Sequence, residues 1–291
     1  MKDITYAAPR TIAEAAALLS DKGDRARILA GGTDIIVQVR EGRRDIDLLV
    51  DIKQIPDVNE LKCDPAKGFV IGAAVPCCLI YENKAIAKAY PGLMDAVTLI
   101  GGIQIQSRAS LGGNLCNASP AADSTPVLIA LESMCDIAGP KGPRSVPVEQ
   151  FCTAPGKTVL ERGEFLVRFR LPPPKRYAGA AYLRFIPRNE MDIAVVGAGV
   201  SVQLDTSKKK CTSARIALAA VAPTPLLVSD AGASLVDGAL SDEMIAKAAS
   251  IAQAAAKPIS DMRGDADYRR HLVGVLVKRA LHIAIDRAKS A

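Results

Sequence analysis

Histidine is scarce in this sequence: the 291 residues contain two, His271 and His282, both near the C-terminal end. No Ser-His-Asp arrangement and no metal-hydrolase set can be assembled from that inventory, so no catalytic side chain is expected here. The seven cysteines (Cys63, Cys77, Cys78, Cys116, Cys135, Cys152 and Cys211) include no C-x-x-C. The spacing of a self-contained zinc or iron–sulfur site is therefore missing, and any metal is expected on another chain. An odd thiol count without a small-domain framework suits a reducing compartment. Long apolar runs are missing too. Uncharged stretches such as 69–81 and 216–229 are too short for a bilayer and contain Gly or Pro. The N-terminus carries Asp3 and Glu14 and has no continuous apolar region before a cleavage site, unlike a secretory signal. A cytoplasmic chain without a membrane span is expected. The net charge of +6 is modest, and its densest run, 208–210, falls between two strand-like segments. It reads as a solvated turn, and nucleic acid is not an expected partner.

What is present is an ordinary globular mixture, 49% hydrophobic and 23% charged, long enough for more than one core. Thr11 and Glu14 form a capping-box pattern, followed by Ile12, Ala15, Ala16 and Leu19 at helical spacing. Segments 26–29 and 48–52 read as strands flanking a glycine turn and a helix over 34–40. Segment 69–73 reads as a strand, and 85–99 as helical segments interrupted at Pro91-Gly92. A helix start at 124–131 and strands at 134–137 and 165–171 follow. Pro172, Pro173 and Pro174 forbid a helix and favour an extended connector, which makes 172–177 the expected domain boundary. Beyond it lie strands at 179–186, 193–204 and 214–221. Helices at 241–256 and 267–289 complete the chain, the last with Tyr268, Leu272, Val275, Leu276 and Ile283 on one apolar face. The expected class is α+β.

Two glycine segments carry the chemistry. In the first, a strand runs through Ala30, Gly31, Gly32, Thr33 and Asp34 into a helix. Two residues without a β-carbon allow backbone amides to approach an anion, and the helix start adds partial positive charge. Asp34 is placed to cap that helix. The arrangement suits a pyrophosphate, and an ordinary strand-to-helix turn accounts for it equally well. The second segment, 100–123, holds two more Gly-Gly pairs with Asn114, Asn117, Ser119 and Asp123. A loop wrapped on a large polar cofactor can satisfy so many polar groups, as can capped structural turns. Neither segment matches G-x-G-x-x-G. Gly156-Lys157-Thr158 imitates the end of a P-loop, but Phe151 stands where a P-loop needs glycine.

The strings AGGTD at 30–34, SLGGN at 110–114 and ASPAAD at 118–123 resemble the FAD-binding subunits of the molybdenum hydroxylases, as do 156–174 and 181–200. That group includes the xanthine dehydrogenase flavin domain and the medium subunit of carbon monoxide dehydrogenase. The resemblance implies a two-lobed FAD-binding domain of the vanillyl-alcohol-oxidase type over 1–173, with lobes of about 1–55 and 56–173. A smaller C-terminal α+β domain of antiparallel strands and helices would cover 178–288. It implies that Ala30, Gly31, Gly32, Thr33 and Asp34 cradle the FAD pyrophosphate together with Ser110, Leu111, Gly112, Gly113 and Asn114. Asp123 would hydrogen-bond the cofactor and Leu166 would touch the flavin. Arg184 stands where the family has lysine, exchanging a point charge for a planar fork. The implied partners are a large molybdenum-cofactor subunit and a small subunit with 2Fe–2S clusters. Electrons would pass through non-covalent FAD to NAD, a quinone or oxygen. No cysteine-rich insertion is present, so no cluster is expected in this chain. The alternative is a stand-alone FAD-dependent oxidoreductase of the same fold with its own small substrate.

Overall fold

The protein is described by a computed structural model covering residues 3–238 and 240–291. The first lobe comprises β1 (Thr5–Ala7), α1 (Ile12–Lys22), β2 (Ala26–Leu29), α2 (Ile35–Arg40) and β3 (Leu48–Asp51). Its strands form a parallel sheet in the order β1-β3-β2. The capping box starts α1: Glu14 N–H donates to Thr11 Oγ1 at 3.2 Å and Thr11 N–H donates to Glu14 Oε2 at 3.3 Å. Its buried stripe of Ala15, Ala16 and Leu19 matches the helical spacing of the sequence.

The second lobe begins with β4 (Leu61–Asp64), β5 (Gly68–Gly72), α3 (Cys77–Glu82), α4 (Lys84–Ala89) and α5 (Pro91–Val97). Then come α6 (Leu111–Cys116), α7 (Ser124–Ala130), β6 (Met134–Ala138), β7 (Arg144–Pro147), β8 (Cys152–Ala154), β9 (Lys157–Thr158) and β10 (Phe165–Leu171). The expected interruption falls at Tyr90, between α4 and α5, and Pro91 opens α5, where its missing N–H is one of those a first turn leaves unpaired. The main sheet is antiparallel with order β4-β5-β10-β6-β7. Strand β10 is its keystone and serves two cores. Phe165 and Val167 enter the core of the first lobe, whereas Leu166, Phe169 and Leu171 enter that of the second. Simple alternation would place 166 and 169 on opposite faces. The register shift between Leu166 and Arg168 inserts the extra residue that brings them together.

After the proline connector come β11 (Ala178–Phe185), β12 (Val196–Leu204), β13 (Cys211–Ala219), β14 (Leu226–Leu227), α8 (Ser229–Ala233), α9 (Asp242–Ala255) and α10 (Ala266–Ser290). The four strands form an antiparallel sheet in sequence order, with α10 packed against it and α9 packed on α10. Helix α10 buries Leu272, Val273, Leu276, Val277, Ala280, Leu281 and Ala284. Tyr268 departs from the expected apolar face: it is exposed and meets Phe185 edge-on at 6.0 Å. Strand β12 begins at Val196, three residues later than the apolar run at 193 predicts, since 187–194 is irregular chain.

An ion pair joins this sheet and α10 to the second lobe. Arg287 grips Asp95 with two bonds of 2.6 and 2.9 Å, and Asp95 also accepts from Tyr182 N–H at 3.1 Å. Both side chains are partly exposed, so the substitution Asp95→Ala is expected to cost about 2 kcal/mol of stability. Urea unfolding of the two chains measures this, and a difference below about 0.5 kcal/mol would show the clamp to be idle.

Candidate functional site

A cavity of about 580 Å³ opens where the two N-terminal lobes meet, within the size range of small-molecule and cofactor sites. Ala30, Gly31, Gly32, Thr33 and Asp34 line it together with Ser110, Gly112, Gly113, Asn114 and Leu166. The two glycine segments are 80 residues apart from Ala30 to Ser110 and are brought together by backbone contact. A β-carbon on Gly31 would lie 1.9 Å from the carbonyl oxygen of Arg108, and one on Gly112 would lie 2.3 Å from that of Ala73. These two glycines therefore let one stretch of main chain pack directly on another. Gly113 is the open one, its absent β-carbon meeting only Ser110 Oγ, at 3.3 Å.

The second glycine segment contains a helix that its glycines disguise. Ser110 starts α6 by accepting a hydrogen bond from Gly113 N–H at 3.1 Å. In this first turn the N–H groups of Leu111 and Gly112 have no acceptor within the helix. Asn114 is fixed by Ser124, whose hydroxyl donates to Asn114 Oδ1 at 2.7 Å. Leu111 is fully buried behind the wall. Asp34, expected as a helix cap, makes no capping bond to α2. Its Oδ1 instead accepts from Asn117 Nδ2 at 3.4 Å, tying the two segments together. Asn117 Oδ1 accepts in turn from Gln38 Nε2 at 3.2 Å.

Several positions in this wall escaped the sequence reading. Lys53 donates to the carbonyl of Ala30 at 2.9 Å and to Asp51 Oδ1 at 2.7 Å, and Tyr6 donates to Asp51 Oδ2 at 2.7 Å. Burial opposes ionisation of Asp51, but the bonds from Lys53 and Tyr6 outweigh it and hold the carboxyl below its ordinary range. The chain of contacts fixes the carbonyl at the start of the first glycine segment. Gln38 lies four residues beyond Asp34, hence on the same side of α2, and that spacing was a readable signal.

Asp123 and Arg184 stand outside the cavity lining and are spent on each other. Arg184 Nη1 donates to Asp123 Oδ2 at 2.7 Å and Tyr182 donates its hydroxyl to Asp123 Oδ1 at 2.8 Å, all three side chains being buried. Burial pushes the Asp123 carboxyl up to about 6, although Arg184 and Tyr182 pull it down. The folded chain therefore takes up this proton before the unfolded chain, whose carboxyl titrates near 3.8. Acidification from pH 7 through 6 towards 4 should thus favour folding through this group, by up to about 3 kcal/mol, and the contribution is lost as pH rises through 6. Thermal melts of wild type and Asp123→Asn at pH 7 and 5 isolate it; parallel pH responses in the two chains would refute the assignment.

Two glycine segments meeting at one cofactor-sized cavity between two lobes define a cofactor-binding protein. The comparisons give the particular family. Residues 2–174 match the FAD binding domain in molybdopterin dehydrogenase, and 181–284 match the CO dehydrogenase flavoprotein C-terminal domain. The chain belongs to this family of FAD-binding oxidoreductase subunits. It is 34% identical to the carbon monoxide dehydrogenase medium chain of Afipia carboxidovorans, covering 98% of each. It is 31% identical to the xanthine dehydrogenase FAD-binding subunit of Escherichia coli O157:H7, covering 98% of this chain and 97% of the relative. Its fold superposes on a chain of carbon monoxide dehydrogenase from Hydrogenophaga pseudoflava with a TM-score of 0.93 at 32% identity, covering 98% of both chains. The α+β architecture expected from the resemblance, two lobes followed by an antiparallel sheet with helices, is the one observed. No helix among the described residues is long and apolar enough to cross a membrane.

Proposed function

We propose that this chain is the electron-transfer subunit of a molybdenum hydroxylase complex. It would receive electrons from 2Fe–2S clusters on a small partner subunit, while a large partner carries the molybdenum cofactor. The FAD-binding part would span 1–173 and the C-terminal part 178–288. The observation that carries this reading is the pair of glycine segments packed backbone to backbone at one cavity. Such a pair of segments offers an elongated cofactor main-chain donors, which suits holding more than reacting. Bound FAD supplies the two-electron chemistry between cluster and final acceptor, whether NAD, quinone or oxygen. This chain's residues then bind and orient. Ala30 to Asp34 and Ser110 to Asn114 would hold the diphosphate, with the free first-turn N–H groups of α6 among the donors. Leu166, buried on β10, would present an apolar surface to the ring system. Asp123 and Arg184 would stabilise the wall from behind and tune its field. Seven free thiols support a reducing, cytoplasmic setting.

An absorption spectrum of the purified full-length chain tests the cofactor: flavin bands are expected, and a colourless chain that takes up no FAD sinks the reading. Isolation of the native protein tests the partners. Co-purification with a large and a small subunit is expected, whereas a partnerless chain that turns over its own organic substrate would replace this reading with the stand-alone oxidoreductase.

A further inference from the structure

Among the described residues, α2 is the one α-helix that buries nothing, although Ile35, Ile36, Val37 and Val39 make up four of its six positions. A helix so largely apolar is normally enclosed. Its β-branched side chains also lose rotamer freedom against the preceding turn, so packing has to hold it helical. The cavity covers one side of α2, the side on which Ile35 and Gln38 line it. Elsewhere on the helix Ile36 and Val37 are 51% and 39% exposed, and exposed Arg40 stands one turn beyond Ile36. None of these three lines the cavity, so a molecule bound there leaves them open.

Charge at the end of the helix narrows what can cover this face. Arg40 makes no ion pair among the described residues. Arg43 meets Glu41 at 2.8 Å in an exposed pair, and Arg44 donates to the neutral Gln38 at 3.1 Å. Three guanidiniums against one carboxylate leave a positive excess beside the apolar residues. A second copy related by a two-fold axis would bring the same arginines together, which like-charge repulsion opposes. We propose that the outer face of α2 is a docking surface for a different protein chain, whose contact area is apolar at its centre and edged by carboxylates. This rests on the multi-subunit reading above and gives it a surface. Docking would also reach the cavity, because Ile35 and Gln38 belong to the same helix, and Gln38 holds Asn117 of the second glycine segment at 3.2 Å. A partner that orders α2 thereby favours a filled cavity, and a filled cavity favours the partner by the same factor.

Hydrogen exchange of the purified native complex and of the isolated full-length chain, both loaded with FAD, tests the proposal. Amides of residues 38–41 are expected to exchange about tenfold or more slowly in the complex. When the isolated chain is titrated into its partner subunits, Val37→Glu should weaken association about tenfold or more, since a carboxylate would enter an apolar contact. Arg40→Glu should weaken it and flatten its salt dependence, whereas Arg40→Lys should keep most of the affinity. Both positions are exposed in the isolated chain, so its melting temperature should not change in these variants. Equal exchange in the two forms, or unaltered affinity in Val37→Glu, would overturn the proposal and leave the complex standing. Affinity lost only together with melting temperature would overturn it too, by tracing the loss to a damaged fold. Self-association of the isolated chain that Val37→Glu abolishes would assign the face to a second copy instead. Sedimentation with phosphatidylglycerol vesicles that Val37→Glu abolishes would assign it to a membrane surface, and either result overturns the proposal. A native chain always isolated alone overturns both the proposal and the multi-subunit reading.

Discussion

A chain carrying Gly31→Ala is expected to bind FAD about 100-fold more weakly than wild type and to lose about 3 kcal/mol of stability. The added methyl group would sit 1.9 Å from Arg108 O, well inside contact distance. Flexible side chains often yield to such a clash, but here both parties are main chain. Relief therefore requires the first glycine segment to move away from the second, which opens the wall that both segments form. Gly113→Ala is the matched control, since its methyl group would meet only the Ser110 hydroxyl, at 3.3 Å. That variant should keep its stability, so any loss of FAD affinity there reports direct contact with the ligand. Flavin titration and thermal melting measure both effects. If Gly31→Ala bound FAD within about threefold of wild type, the two segments would not need their present spacing.

The Asp123–Arg184 pair should show the largest effect on stability. Removing the carboxylate in Asp123→Ala strands a guanidinium that is only 6% exposed and leaves the Tyr182 hydroxyl without its acceptor. Losing this carboxyl typically costs about 3–5 kcal/mol, because two buried donors are left with neither water nor an acceptor, whereas a protonated Asp123 would still accept from both. The cost belongs to the stranded donors more than to the lost negative charge. The double variant Asp123→Leu with Arg184→Met should consequently be more stable than Asp123→Ala alone. Chemical denaturation of the three chains provides the comparison. A double variant no more stable than the single one would show that the pair's packing, and not its charge balance, holds this region.

Local signals were the ones the sequence made legible. Thr11 and Glu14 are three residues apart and announced α1 correctly. Both glycine segments stood out by composition, and both line the same cavity. Features produced by distant parts of the chain were not readable in this way. The Asp123–Arg184 contact spans 61 residues, so each residue looked like a separate candidate for touching the cofactor, and nothing local showed that they satisfy each other. Arg27 and Arg44 drew no notice in the sequence, because only the folded chain gathers them around one opening. Helix α6 was concealed by its two glycines, which have poor helical propensity; its cap at Ser110 and its packing on the core override that preference. Tyr268 shows the opposite error, an aromatic residue credited to a buried face that water reaches.

The central position of β10 also has a consequence in time. Its neighbours β5 and β6 emerge from the ribosome well before it does, and each must wait with an open hydrogen-bonding edge. Until residue 171 has been made, the sheet is two separate hairpins, and the first lobe lacks Phe165 and Val167 from its core. The cavity wall then lacks Leu166 as well. A nascent chain ending before Phe165 should therefore be prone to edge-to-edge association and unable to retain a flavin. Cofactor loading is consequently expected to be a late event in the life of this polypeptide, waiting on the one strand that joins the two half-built lobes.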